Sequence, residues 1–192
     1  MTTHIGIIIG STRVGRIGDQ VARWVHEVAS ARTDARFEIV DLADYPLPFL
    51  HAPGSEGSAA EIQRWSDKID TFDGFIFVTA EYNHGLPAAL KNALDTLNAP
   101  WNDKAAGIVS YGGVGGARAA EHLRLVLGEL QVADVRTQVP LALATEFDYS
   151  GGAPVFAPGE YNVQALNAQL DQVVAWSRAL ATVRADRAAA AA

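Results

Sequence analysis

The feature that most constrains the fold is a series of short apolar runs, separated by segments with helical periodicity. The runs are rich in β-branched and aromatic residues, which is typical of buried strands. Phe75-Ile76-Phe77-Val78 is apolar at successive positions, as expected of a central parallel strand covered on both faces. Five strands are predicted, namely Ile5–Ile9, Phe37–Val40, Phe75–Val78, Ala106–Val109 and a fifth within Val132–Leu143.

The segments between these runs carry apolar residues at helical spacing. Such stripes run from Ile17 to Val28 and from Ile62 to Ile69, and a further helix is expected to start near Pro87, a residue favoured in the first turn. Two more stripes cover Leu123–Leu130 and Val163–Leu180. Strands that alternate with helices predict right-handed βαβ units and a parallel sheet.

The length of the chain fits one α/β domain. We expect this domain to cover residues 1–185 and to include a surface loop, rich in proline and glycine, over residues 42–57. Residues 186–192 are alanine-rich and are expected to form a frayed helical tail without a function.

Charge and cysteine content exclude several kinds of function. The chain has 192 residues, a net charge of −7 and no cysteine. An acidic surface repels phosphate backbones and anionic lipids, so neither nucleic acid nor a membrane is expected as a partner. No thiolate chemistry is available, and we predict no metal site. Without a leader-like amino terminus or a long apolar run, a cytoplasmic location is expected.

Three specialised loops follow the first, third and fourth predicted strands. In an open parallel sheet, ligands bind beyond the carboxyl ends of the strands, where the strand order reverses. The loops are therefore expected to cluster at one edge of the sheet. They comprise residues 10–18 (GSTRVGRIG), 80–85 (AEYNHG) and 110–116 (SYGGVGG).

The first loop has the composition of an anion-binding turn at the start of a helix. Ser11 and Thr12 can donate to phosphate oxygens, and Arg13 and Arg16 can add charged hydrogen bonds. The plain alternative is a glycine turn with solvated arginines. A P-loop requires lysine where Arg16 stands, and a dinucleotide fingerprint requires glycine where Thr12 stands. Asp41, at the end of the second strand, is interpreted as a turn cap rather than a ribose ligand.

The other two loops suit a flat ligand. Tyr82 can stack on a ring and Asn83 offers a donor and an acceptor, whereas Glu81 could face a ligand, a partner subunit or water. His84 is interpreted as a rim residue. The third loop has four glycines in the five positions 112–116, which lets its backbone approach a planar group closely. A plain helix-entry loop and a flexible turn are the alternatives.

At these residues the chain resembles the NADPH-dependent FMN reductase family, which includes flavodoxin-like quinone, azo-dye and chromate reductases. The resemblance covers about residues 4–140. It implies a flavodoxin-like three-layer α/β sandwich with a five-stranded parallel sheet in the order 2-1-3-4-5. It also implies FMN and NADPH or NADH as cofactors. The matching motifs are Gly10-Ser11-Thr12-Arg13, Glu81-Tyr82-Asn83, Leu90-Lys91-Asn92-Ala93-Leu94-Asp95 and Gly112-Gly113.

The same resemblance implies which residues bind FMN. The first loop would hold the phosphate, the second would flank the ribityl chain and the ring, and the third would meet the pyrimidine edge. Arg16 and Gly18 stand where many relatives have Ser and Asn, and Ala80 replaces a common proline. The expected cofactor-binding residues are Ser11, Arg13, Arg16, Gly18, Glu81, Tyr82, Asn83, Ser110, Gly112 and Gly113.

The resemblance further implies a homodimer or homotetramer with the flavin near a subunit boundary. The helix that contains Lys91 and Asp95 commonly lies at that boundary. Because these residues are four positions apart, a local ion pair fits the sequence equally well.

The expected function is an NAD(P)H oxidoreductase that reduces flavin, quinone, azo or similar acceptors by ping-pong hydride transfer through bound FMN. The protein would supply position, exclusion of water and electronic tuning, so no catalytic acid or base is assigned. One alternative is a non-enzymatic flavodoxin-type electron carrier. Another is an α/β hydrolase or nucleotide-binding module without flavin, although no Gly-x-Ser-x-Gly elbow is present.

Overall fold

The computed structural model describes residues 2–50 and 58–191, in which strands alternate with helices as expected. Within the described residues, single 3₁₀ turns also lie at Leu42–Asp44 and Ala99–Trp101. The main elements are β1 (Thr3–Ile9), α1 (Gly18–Ser30), β2 (Ala35–Asp41), α2 (Ser58–Asp70), β3 (Gly74–Ala80), α3 (Ala88–Asp95), β4 (Lys104–Gly112), α4 (Ala117–Glu129), β5 (Val132–Ala142), β6 (Phe147–Asp148), β7 (Val155–Phe156) and α5 (Glu160–Ala191).

The first five strands form one parallel sheet in the order β2-β1-β3-β4-β5. The predicted flavodoxin-like fold class is therefore confirmed. Ile9 pairs with Val78, and Val78 pairs with Val109, so β1, β3 and β4 run level across the middle of the sheet. The three loops that follow these strands leave from the same edge.

Helices cover both faces of the sheet, and every residue of β1, β3 and β4 is buried as a result. One face packs against α1 and α5 through residues such as Val25 and Leu170. The opposite face packs against α2, α3 and α4 through residues such as Trp65, Leu94 and Leu123. Burial of each large apolar side chain contributes about 1.5–3 kcal/mol, which makes these two layers the main source of stability.

The segment between β5 and α5, to which the sequence assigns no element, contains a short antiparallel ribbon of β6 and β7. Phe156 of the ribbon packs edge-on against Trp24 of α1 with ring centroids 5.3 Å apart. Gln20 of α1 accepts a hydrogen bond from the Phe156 amide at 3.0 Å and donates to the carbonyl of Pro154 at 3.1 Å. The ribbon therefore joins the end of the sheet to the first helix.

Parts of two sequence predictions lie outside the described residues. The expected surface loop over residues 42–57 begins with the 3₁₀ turn, and its residues 51–57 are not described. Helix α5 continues through Ala191, so the domain boundary at residue 185 stays a prediction. Within residues 2–50 and 58–191, no helix is both long enough and apolar enough to cross a bilayer.

Lys104, the first residue of β4, is a buried cation with only 2% of its surface exposed. Its Nζ donates to the carbonyl of Ile69 near the end of α2 at 2.9 Å and lies 5.6 Å from the centroid of the Phe75 ring. Burial lowers the pKa of Lys104 from 10.5 to about 8.

We therefore predict that Lys104 makes the protein more stable as the pH rises from about 8 to about 10. In this range the unfolded chain still binds the proton that the folded chain has released, so the free energy of unfolding increases by at most about 1.4 kcal/mol per pH unit. Urea unfolding should show this rise in the wild type and in the control Lys91→Met, but not in Lys104→Met. Equal slopes for wild type and Lys104→Met would contradict the prediction.

Candidate functional site

The structure brings the three loops together, and we refer to residues 10–18, 80–85 and 110–116 as the loop cluster. The hydroxyl oxygens of Ser11 and Tyr82 are 2.8 Å apart, which joins the first loop to the second. The guanidinium of Arg13 lies 5.9 Å from the centroid of the Tyr82 ring, within the range of a cation–π contact. The amide of Glu81 donates to the carbonyl of Tyr111 at 2.9 Å and joins the second loop to the third.

The first loop leads into α1, whose amino terminus has no side-chain cap. Ile17 occupies the capping position and offers no acceptor, so the first N–H groups of the helix are left for another partner. Gly18, the first residue of α1, is required by packing, because a Cβ there would lie 2.6 Å from the hydroxyl oxygen of Tyr111. An uncapped amino terminus with its positive dipole end is suited to an anion.

The hydroxyl group of Tyr111 lies next to Gly18 at the start of α1. Its hydroxyl is buried and has no hydrogen-bond partner among the described residues. Burial raises the pKa of Tyr111 well above its usual range, so the group remains a donor. Buried donors without a partner are rare in native proteins. A phosphate oxygen at the first turn of α1 would provide the missing acceptor, so the residues present fit the expected phosphate.

Arg16 is paired within the protein, and its expected role in binding the phosphate stays a prediction. Its Nη1 donates to the carbonyl of Ser11 at 2.8 Å, and its Nη2 is paired with Asp41 at the end of β2. Asp41 also accepts from the amide of Ala43 at 2.9 Å, which agrees with its interpretation as a turn cap. Arg16 therefore links the first loop to the end of β2. Arg13 is exposed and available for a ligand.

The second loop forms a tight turn closed by reciprocal hydrogen bonds of 3.0 Å between the backbones of Tyr82 and Gly85. Asn83 and His84, with φ of 49° and 67°, both have the left-handed conformation of a type I′ turn. Asparagine and histidine are both enriched among the few non-glycine residues that adopt this conformation. The turn holds both side chains at the exposed tip, beside the 37% exposed ring of Tyr82.

Glu81 is turned away from the open side of the loop cluster, and its side chain is only 7% exposed. Its carboxylate accepts from the Arg118 amide at 3.0 Å and pairs with the Arg118 guanidinium, so it caps α4, where Gly116 supplies no side chain. Burial alone would raise the pKa of the Glu81 carboxyl. Hydrogen bonds from Arg118 and from the Ala119 amide outweigh burial and hold the pKa below its usual value. The structure therefore gives Glu81 a capping role, and its expected contact with the cofactor stays a prediction.

The third loop is held by Ser110, which is fully buried. Its hydroxyl donates to the carbonyl of Gly115 at 2.6 Å and accepts from Nε2 of Gln138 at 2.9 Å. Ser110 therefore positions the glycine turn, and its expected contact with the pyrimidine edge stays a prediction. Gly113 is exposed, and a Cβ there would meet nothing within 4 Å, so the backbone at Gly113 is open to a planar group. Gly112 is buried, and a Cβ there would lie 3.0 Å from Cβ of Glu81.

Helix α3 contributes one residue whose role the sequence did not reveal. Asn92 donates to the carbonyl of Pro48 at 2.8 Å and accepts from the Leu50 amide at 3.2 Å, which tethers the loop after β2. Lys91 and Asp95 form the local ion pair, with distances of 2.6 and 2.8 Å. Their use at a subunit boundary stays a prediction.

Fold and site together define a flavodoxin-like protein in which the uncapped start of α1 lies beside a glycine-rich loop. The chain matches the NADPH-dependent FMN reductase family over residues 3–146 and belongs to that family. The resemblance drawn from the sequence motifs is confirmed. Family membership makes the chain a flavin-dependent NAD(P)H oxidoreductase, with FMN and NAD(P)H as its cofactors.

Individual relatives agree with this assignment. The chain is 41% identical over 149 residues to an NAD(P)H-dependent FMN reductase of Schizosaccharomyces pombe, with 74% of each chain covered. It is 34% identical over 126 residues to a quinone reductase of Escherichia coli K12, covering 62% of this chain and 66% of that protein. The flavoenzyme NAD(P)H:(acceptor) oxidoreductase FerB of Paracoccus denitrificans superposes with a TM-score of 0.70 at 22% identity, over 92% of this chain and 97% of FerB, which shows a common fold.

We predict that Tyr111→Phe has opposite effects on the FMN-free and FMN-bound protein. Without FMN, the free energy of unfolding stays the same or rises by about 1 kcal/mol, because an unsatisfied buried hydroxyl is removed. FMN affinity falls about fivefold, because the phosphate loses a donor. Urea unfolding and quenching of flavin fluorescence measure the two effects. Lower stability of the FMN-free variant would show that the hydroxyl is already satisfied.

We also predict that Glu81→Gln destabilises the protein at neutral pH by about 1–2 kcal/mol, because α4 loses a charged cap. Since the folded-state pKa of Glu81 is lowered, its contribution is present above the pKa of the unfolded chain and is lost as the pH falls through the folded-state pKa. The difference from wild type should therefore shrink in acid. Exposed Glu129→Gln at the other end of α4 is the control, and an equal loss in both variants would contradict the capping role.

Proposed function

We propose that the protein reduces flavin, quinone, azo or similar small-molecule acceptors with NAD(P)H in a ping-pong cycle through bound FMN. The observation that carries this proposal is the junction of the loop cluster, where Ser11 and Tyr82 meet at 2.8 Å beside the uncapped start of α1. When bound, FMN supplies the hydride chemistry, and the protein supplies position and electrostatics.

The first loop would hold the phosphate. Arg13 would provide the exposed charge, and the backbone at Gly18 would provide the first N–H groups of the helix. Ser11 would contact the phosphate while its hydroxyl keeps Tyr82 in place. Arg16 would act indirectly, because its bonds to Ser11 and Asp41 fix the curvature of the loop.

The second and third loops would position the ring system. Tyr82 and Asn83 would flank the ribityl chain and the ring, and the backbone of Gly112 and Gly113 would meet its polar edge. Ser110 would hold the glycine turn in its conformation through the hydrogen bond to the carbonyl of Gly115.

Membership of a reductase family opposes both alternatives, the non-enzymatic electron carrier and the flavin-free hydrolase or nucleotide-binding module. Stopped-flow mixing of the FMN-loaded protein with NADPH separates them. Rapid bleaching of the flavin absorbance supports a reductase, and an unchanged flavin spectrum would leave only the carrier. A protein that binds no FMN would favour the flavin-free class.

The proposal includes self-association as a homodimer or homotetramer and a cytoplasmic location. Phe49 and Leu50 are 72% and 50% exposed and lie beside Lys91 and Asp95 of α3. Exposed large apolar side chains next to a helix of the site support burial by a second subunit at this position.

We predict that Arg13→Ala weakens FMN binding by about 1.5–3 kcal/mol, which is the range for a hydrogen bond to a charged group. Binding of riboflavin, which lacks the phosphate, should weaken far less. Calorimetric titration of both ligands measures the difference. Arg23→Ala on the exposed side of α1 is the matched control. Equal losses for FMN and riboflavin would place Arg13 away from the phosphate.

A further inference from the structure

The start of α1 has two features that favour fraying. No side chain caps it, and its first residue, Gly18, is a weak helix former. Helix ends of this kind open readily unless tertiary contacts hold them. The phosphate role proposed above requires the N–H groups of this turn to point in fixed directions, so the contacts that support the turn matter for binding.

Gln20, in the same turn, connects α1 to the ribbon of β6 and β7. Its side-chain amide donates to the carbonyl of Pro154 at 3.1 Å and accepts from the amide of Phe156 at 3.0 Å. A neighbouring parallel strand would pair with this segment through the same two backbone groups. Trp24, about one turn further along α1, packs against the ring of Phe156. The ribbon therefore holds the first turns of α1 by backbone hydrogen bonds and by aromatic packing.

The other strand of the ribbon leads back to Tyr111. Phe147 pairs with Phe156 across the ribbon, with ring centroids 5.1 Å apart. Phe147 is buried, and its ring centroid lies 6.5 Å from that of Tyr111. The hydroxyl of Tyr111 lies in turn against Gly18. These contacts form a closed circuit from the first turn of α1 through the ribbon to Tyr111 and back to the same turn.

The circuit holds the first turn of α1 from two sides. Gly18 and Gln20 are two positions apart, and a helix with 3.6 residues per turn places them about 200° apart around its axis. Tyr111 therefore contacts one side of the turn, and the ribbon contacts the opposite side. A rotation or shift of the helix start would break one of these two contacts.

We propose that Gln20 is a positioning residue for the phosphate of the cofactor, and that the ribbon is the element through which it acts. The inference rests on the proposed function, because it concerns the binding of FMN. Gln20 uses its side chain to bind the ribbon and keeps the first N–H groups of α1 aligned beside the Tyr111 hydroxyl. Preorganised donors bind an anion more tightly, because fewer conformations are lost on binding.

Calorimetric titration of Gln20→Met with FMN and with riboflavin tests the proposal. Methionine has a similar length but forms neither of the two hydrogen bonds. The Kd for FMN should rise about five- to tenfold, which corresponds to the net loss of one hydrogen bond. The Kd for riboflavin, which lacks the phosphate, should change much less, and a general loss of stability would not produce this difference. Gln164→Met is the matched control, because Gln164 is exposed on α5 and its side chain bonds to Glu160 of the same helix.

Hydrogen exchange of the FMN-free protein gives a readout that needs no flavin. The amides of residues 17–21 should exchange faster in Gln20→Met than in the wild type, whereas those of α5 should not. Phe156→Leu, which weakens the same junction from the ribbon, should produce both effects and decides the outcome if Gln20→Met does not fold. Unchanged exchange at the start of α1, or equal losses of affinity for FMN and riboflavin, would overturn the proposal. Failure of the proposed function is distinguishable, because the wild type itself would then bind no FMN or show no bleaching with NADPH.

Discussion

The site depends on the register in which the three central strands are paired. Ile9, Val78 and Val109 stand in one row across β1, β3 and β4, held by parallel pairing between buried strands. A slip of one residue would displace a loop by about 3.3 Å along the strand. That displacement would break the 2.8 Å contact between Ser11 and Tyr82, because hydrogen bonds tolerate only a few tenths of an ångström. The buried sheet therefore sets the geometry of loops that are themselves mostly polar.

The fold could be predicted as far as its signals are local. Apolar runs and helical stripes are properties of short windows, so the five main strands and their helices could be read from the sequence, and the family motifs implied the strand order. The ribbon of β6 and β7 could not, because strands of two residues have no periodicity. Its position depends on Gln20, which lies 136 positions before its partner Phe156.

The candidate site could be predicted at the level of loops and only in part at the level of side chains. Arg16, Glu81 and Ser110 lie in the expected loops, but each satisfies backbone or charged groups of a neighbouring segment. Turns rich in glycine leave many backbone groups that need partners, and the nearest polar side chains supply them. Which side chain pairs with a given backbone group depends on contacts between loops that are distant in the sequence and close in space. The role inferred for Tyr111 could not be predicted either, because it depends on the close packing of Gly18 against the Tyr111 hydroxyl.

These pairings also limit the ways in which a chain with a net charge of −7 could attract an anion. Asp41 neutralises Arg16 and Glu81 neutralises Arg118, so the loop cluster does not present a broad positive surface. Attraction over a long distance would be weak and would be screened further by salt. In the proposed site, affinity for the phosphate would come from short-range, preorganised donors at the start of α1, together with Arg13. Such donors act over hydrogen-bond distances, and this makes the rigidity of the loop more important for binding than the total charge of the protein.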